Sequence, residues 1–78
     1  MHKLRCKTRR TSDGRWYLEV VRGAGDVETG DVMTRLGIFL RPRSDNVQIF
    51  DTREALRCLV LAYNRENAPA YKIVGGLH

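Results

Sequence analysis

Basic and mildly apolar side chains alternate over residues 3 to 11, with Lys3, Arg5, Lys7 and Arg9 at odd positions and Leu4, Cys6 and Thr8 between them. A period of two sends successive side chains to opposite faces of a strand, here one basic and one mildly apolar. Thr11-Ser12-Asp13-Gly14 is a turn in which glycine supplies a positive φ. Alternation then resumes from Arg15 to Arg22, completing a predicted hairpin. Its inner face is Leu4, Cys6, Trp16, Leu18 and Val20; Arg15, Tyr17, Glu19 and Val21 face outward. Gly23 to Gly30 has three glycines and no apolar period, and reads as a loop. A third strand is predicted from Val32 to Arg41. Val32, Thr34, Leu36, Ile38 and Leu40 would face inward, and Met33, Arg35, Gly37, Phe39 and Arg41 outward. Pro42 to Asn46 turns the chain, because proline cannot continue a central ladder, and Val47 to Phe50 forms a short strand.

A period near 3.6 follows. Leu56, Leu59, Val60 and Tyr63 fall at i, i+3, i+4 and i+7, one apolar helical stripe. Asp51 is the expected N-cap, with Glu54 completing a capping box, while Ala55 and Ala62 flank the stripe for close packing. Asn67, Ala68 and Pro69 end the helix. Ala70 to Val74 is a candidate last strand, and Gly75 to His78 a frayed tail. The expected fold is α+β: a small antiparallel sheet of about four strands, with one helix of the C-terminal half packed on one face. The other face stays wet.

Length and charge sharpen this picture. Seventy-eight residues make a single domain, residues 1–78, too short for a barrel or a doubly wound sheet. No apolar run approaches the roughly 18 residues of a membrane span. The first ten residues lack the apolar stretch of a secretory signal, so a cytoplasmic location is expected. The formal charge is +5, from 14 basic and nine acidic side chains. Residues 1 to 22 alone carry a net +5, and residues 23 to 31 a net −3. Eleven of the basic residues are arginines. Their planar donor forks match phosphates and guanine edges, although a GC-rich coding sequence accounts for them equally well.

With this register the open face carries Lys3, Arg5, Lys7, Arg9, Arg15, Tyr17, Arg35, Phe39 and Arg41, opposed only by Glu19. Such charge neutralises phosphates and releases counterions, and Tyr17 and Phe39 offer rings for bases to stack on. The plainer reading is a solvated face whose aromatics brace neighbouring strands. In the order of its elements, Arg15 to Asn67, with the strand-to-helix passage Phe50 to Ala55, resembles the arm-type DNA-binding domain of tyrosine integrases. That resemblance implies a sheet entering the major groove with the helix bracing its back. The basic strand before Arg15 departs from the layout, and no catalytic core follows.

A second surface lies on the helix. Leu61 falls roughly 120 degrees or more from the core stripe, among Arg57, Asn64, Arg65 and Glu54, and could anchor a protein contact. In size and build the chain resembles small mobile-element and phage proteins, including inhibitors of CRISPR effector complexes, which implies a protein-binding inhibitor or adaptor. Its positive charge argues against mimicry of DNA. Leu4 to Thr8, read as an exposed edge, offers pairing to a second copy. Asp26 to Asp31 is an acidic loop without the spacing of a calcium site, expected to be solvated.

No catalytic or cofactor constellation emerges. Cys6 and Cys58 read as buried thiols, and with the terminal His2 and His78 they lack zinc spacing. Ser12 and Ser44 lie in turns without a positioned base, and Gly23-Ala24-Gly25 opens no helix. The expectation is a binding protein, with no enzyme activity, metal or cofactor.

Overall fold

The computed structural model describes residues 1–75. Its elements are β1 (His2–Arg10), β2 (Trp16–Arg22), β3 (Val32–Met33), β4 (Phe39–Leu40), α1 (Arg53–Asn67) and β5 (Tyr71–Val74). They form one five-stranded sheet in the order β4-β3-β2-β1-β5. The α+β class stands, but the sheet is mixed rather than antiparallel. After the helix the chain returns beyond β1, and β5 runs parallel to it from His2↔Tyr71 to Arg5↔Val74. A helical crossover is what allows a parallel pair. The edge expected at Leu4 to Thr8 is therefore covered by β5 along its first half.

The first hairpin follows its pattern. Gly14 has φ +86, the Thr11 N–H donates to Arg15 O at 2.8 Å, and the Gly14 N–H donates to Thr11 O at 3.0 Å. One irregularity interrupts the ladder. Cys6 pairs with Val20 but Arg5 pairs with Arg22, so Val21 is an extra residue in a bulge. A bulge turns the residues beyond it relative to strict alternation, which frees Arg22 from the inner face.

The third strand is not continuous. Val32 to Arg41 is a small hairpin, with Met33 paired to Phe39 and Val32 to Leu40. Its turn holds Gly37 at φ +78, and the Thr34 Oγ1 hydroxyl donates to Ile38 O at 2.7 Å. The faces are the reverse of those expected because Val32 pairs with outward-facing Glu19, which sets Met33 and its partner Phe39 inward. Met33 and Phe39 are buried, whereas Leu36, Ile38 and Leu40 are exposed. The expected strand Val47 to Phe50 is reduced to isolated bridges, Thr34↔Val47 and Trp16↔Phe50.

In α1 the N-cap is Thr52, not Asp51: the Thr52 hydroxyl oxygen accepts the Ala55 N–H at 3.1 Å. The third residue after this cap is Ala55, so there is no capping box, though Glu54 still lies in the favourable first turn. Leu56, Val60 and Tyr63 are buried against Leu4, Cys6, Leu18, Val20 and Ile73 of the sheet. Each fully buried aliphatic side chain contributes about 1.5–3 kcal/mol. Leu59 is half-buried and Ala55 exposed. Cys6 lies in the core but Cys58 is exposed on the outer side of the helix, so the two thiols do not meet.

Asn64, expected on the outer surface, turns inward. Its side-chain amide accepts the Ile73 N–H at 2.7 Å and donates to Ile73 O at 3.2 Å. These bonds close off the outer edge of β5 at that residue. The acidic loop is only partly solvated: Asp31 is buried, and its carboxylate accepts the Glu28 N–H at 3.1 Å. Gly23 is required by this loop, since a Cβ there would meet Val27 O at 2.3 Å.

Candidate nucleic-acid interface

The odd positions of β1 build the open face. Lys3, Arg5, Lys7 and Arg9 are all exposed, repeating every two residues, or about 7 Å. The parallel register sets Lys72 of β5 beside Lys3. On the other flank the Val21 bulge places Arg22 opposite Arg5. Lys3, Arg5 and Arg22 line one shallow hollow of about 420 Å³ with Gly23, Ala24 and Val74. The Arg5 guanidinium also lies against Gly75, where an added Cβ would be 2.8 Å from Nη1.

Glu19 is the acid on this face. It accepts from Arg9 Nε at 2.9 Å, and this pair removes one cation from the row. Among the described residues, Lys3, Arg5, Lys7, Arg22 and Lys72 have no carboxylate within ion-pair distance. Like charges fixed side by side with so little compensation focus a positive potential over the sheet.

At its other end the open face is bordered by an arch. This segment, Arg41 to Ile49, comes back alongside β2 and β3, where the Arg35 N–H donates to Asn46 O at 3.2 Å and the Gln48 N–H to Met33 O at 3.0 Å. Between arch and sheet is a groove of about 440 Å³. Val32 is buried at its base, half-buried Val47 and Ile49 line the arch side, and Tyr17 and Glu19 line the sheet side. Exposed Arg15, Arg35 and Arg43 stand around it. Arg15 is paired with Asp13 at 2.9 Å. The Thr11 hydroxyl, then Arg15 itself, hold the Asp13 carboxyl below its ordinary range. Arg43 is 3.9 Å from Asp45.

The structure thus brings Lys3, Arg5, Lys7 and Arg9 into one row, and gathers Arg15, Tyr17 and Arg35 at the groove. Phe39 must be withdrawn from the site. Paired with inward-facing Met33, it lies in the core, where its ring packs edge-on against Tyr63 at 5.3 Å. Arg41 is displaced as well: it lies 4.0 Å from Glu28 and lines a separate hollow with Leu36 and Leu40.

Sequence reasoning missed Arg22, Arg43 and Lys72. The doubled valine at Val20-Val21 was the trace of the bulge that exposes Arg22. Lys72 followed from alternation in β5 once its parallel register was known, and Arg43 carried no periodic signal at all. Elsewhere, Arg57 and Arg65 are exposed around Leu61, which is 68% exposed on the outer side of α1. Two guanidinium groups lie over the Trp16 ring, Arg10 at 4.9 Å and Arg53 at 5.4 Å from its centroid.

Among the described residues no group of three His, Cys, Asp or Glu side chains could hold a metal ion; His78 and the rest of the tail from 76 to 78 lie outside them. No helix among the described residues is long and apolar enough to cross a membrane. No protein-family model matches the chain, and searches of curated proteins and of solved structures return no significant match.

Proposed function

We propose that this protein is a small non-catalytic nucleic-acid-binding domain whose open sheet face lies along a phosphate backbone. The observation that carries the reading is the basic row on β1, flanked by Lys72 and Arg22 and opposed on that face by Glu19, already engaged by Arg9. Cations held on a rigid sheet at regular spacing bind a polyanion by releasing its counterions. Arg5→Glu with Lys7→Glu tests it. Both side chains are exposed, so thermal melting should not change, while affinity for a 25-nucleotide strand should fall by about 100-fold. Unchanged affinity in a folded variant would refute the proposal.

A second reading rests on Leu61, which is 68% exposed between arginines. Here Arg57, Leu61 and Arg65 would anchor an acidic protein partner, as in an inhibitor or adaptor that blocks a nucleic-acid-processing complex. It predicts that one stoichiometric protein is recovered from nuclease-treated lysate and is lost with Leu61→Glu.

A further inference from the structure

We infer that the groove between β2 and the arch holds one unstacked base, so that the preferred ligand is single-stranded nucleic acid rather than a duplex. The inference rests on the proposed nucleic-acid reading and adds the form of the ligand.

The basic row by itself does not choose between strand forms, since both present phosphates. The groove has a different character. Val32 at its base and Val47 and Ile49 on the arch side form an aliphatic patch beside Pro42, Arg43 and Ser44, and Tyr17 lines the sheet side. The aliphatic patch offers nothing to a bare phosphate, whereas a planar base gains contact with both ring and aliphatic surface. The volume of about 440 Å³ lies within the range of sites for small ligands, roughly 300–1,000 Å³. Arg35 stands at the outer margin with Arg15 and Arg43, which are shared with Asp13 and Asp45, where the phosphates flanking an inserted base would lie. Polarity thus runs from apolar depth to cationic margin, matching a nucleotide from base to phosphate.

Glu19 gives the base an orientation. Arg9 Nε engages Oε1 at 2.9 Å, which leaves Oε2 to accept an exocyclic amine from the groove side. A carboxylate there repels phosphate and favours cytosine, adenine or guanine over thymine, whose carbonyls flank its single N–H. In a duplex the bases stay stacked, and the double helix meets only the margin of the groove.

The groove also continues the basic face. Tyr17 stands opposite Arg9 in the β1–β2 ladder, so a strand tracking the row from Arg5 through Lys7 and Arg9 arrives at Tyr17.

The test is a fluorescence-anisotropy titration of labelled (dA)12, (dT)12 and a mixed-sequence 12-base-pair duplex at about 100 mM salt, against the wild type, Tyr17→Leu and Arg43→Glu. Tyr17→Leu keeps apolar bulk, and Arg43 occupies an exposed loop position, so the second variant serves even if the first is destabilised. The expected result is that (dA)12 binds at least about ten-fold tighter than the duplex and tighter than (dT)12. Both variants should lose about ten-fold on (dA)12, and Tyr17→Leu should leave duplex affinity unchanged. Equal binding of all three ligands, unaffected by Tyr17→Leu, would overturn the groove while leaving the basic face as a binding surface. Absence of binding to any of them, even at 20 mM salt, would overturn both.

Discussion

Cys6 and Cys58 show how far a residue's surroundings outweigh its identity. Sequence alone makes buried thiols of both, yet the helix stripe that buries Leu56 and Val60 turns Cys58 outward. Burial pushes the Cys6 thiol from 9.0 up to about 12. Above pH 9 the unfolded chain releases that proton while the folded chain keeps it. Folding stability is therefore present in full at neutral pH and falls as pH rises towards 12, by at most about 1.4 kcal/mol per unit. Tyr63, also raised chiefly by burial, adds to the fall at the upper end. Urea midpoints at pH 7, 9 and 10.5 should decline in the wild type and decline less in Cys6→Ala. Equal slopes would mean that Cys6 is not enclosed. In the native protein at pH 8, iodoacetamide should modify Cys58 readily and Cys6 only after unfolding.

At the scale of elements, patterns of short range were legible and those set by a distant partner were not. β1, β2 and α1 each carry an unbroken period, and each lies close to where its period puts it. Val32 to Arg41 also alternates, but alternation cannot distinguish one strand from two joined at Gly37. A turn there keeps the period, so Met33 and Phe39 share a face in either case; which face is buried depends on the pairing of Val32 with Glu19 of β2, which local alternation does not carry. The parallel pairing of β5 was equally invisible, since it depends on where the helix returns the chain. The hairpin makes an energetic prediction. Phe39→Ala should cost about 3–5 kcal/mol by removing a ring from the core, and Leu40→Ala, at a site 39% exposed, less than about 1 kcal/mol. Chemical denaturation of the two variants checks this, and the reverse order would mean that the opposite face is the buried one.

For the molecule as a whole, the sheet separates two tasks. Its inner face and the helix form the core, while its outer face concentrates the positive charge of the first quarter of the chain. The composition already disclosed that excess. It did not disclose that a bulge at Val21 adds Arg22, that β5 adds Lys72, or that the 41–49 arch makes a groove beside Tyr17. Those depend on register and loop path, which local patterning does not encode. The central claim is that this face binds a polyanion, and its most direct test is the salt dependence of binding. The measurement is the affinity of the wild-type protein for a labelled 25-nucleotide single strand and its matched duplex from 25 to 200 mM salt. If Lys3, Arg5, Lys7, Arg22 and Lys72 each hold a phosphate, log K against log salt should fall with a slope of about −3.5 for the single strand. No binding to either form at 25 mM salt, or binding indifferent to salt, would contradict the account.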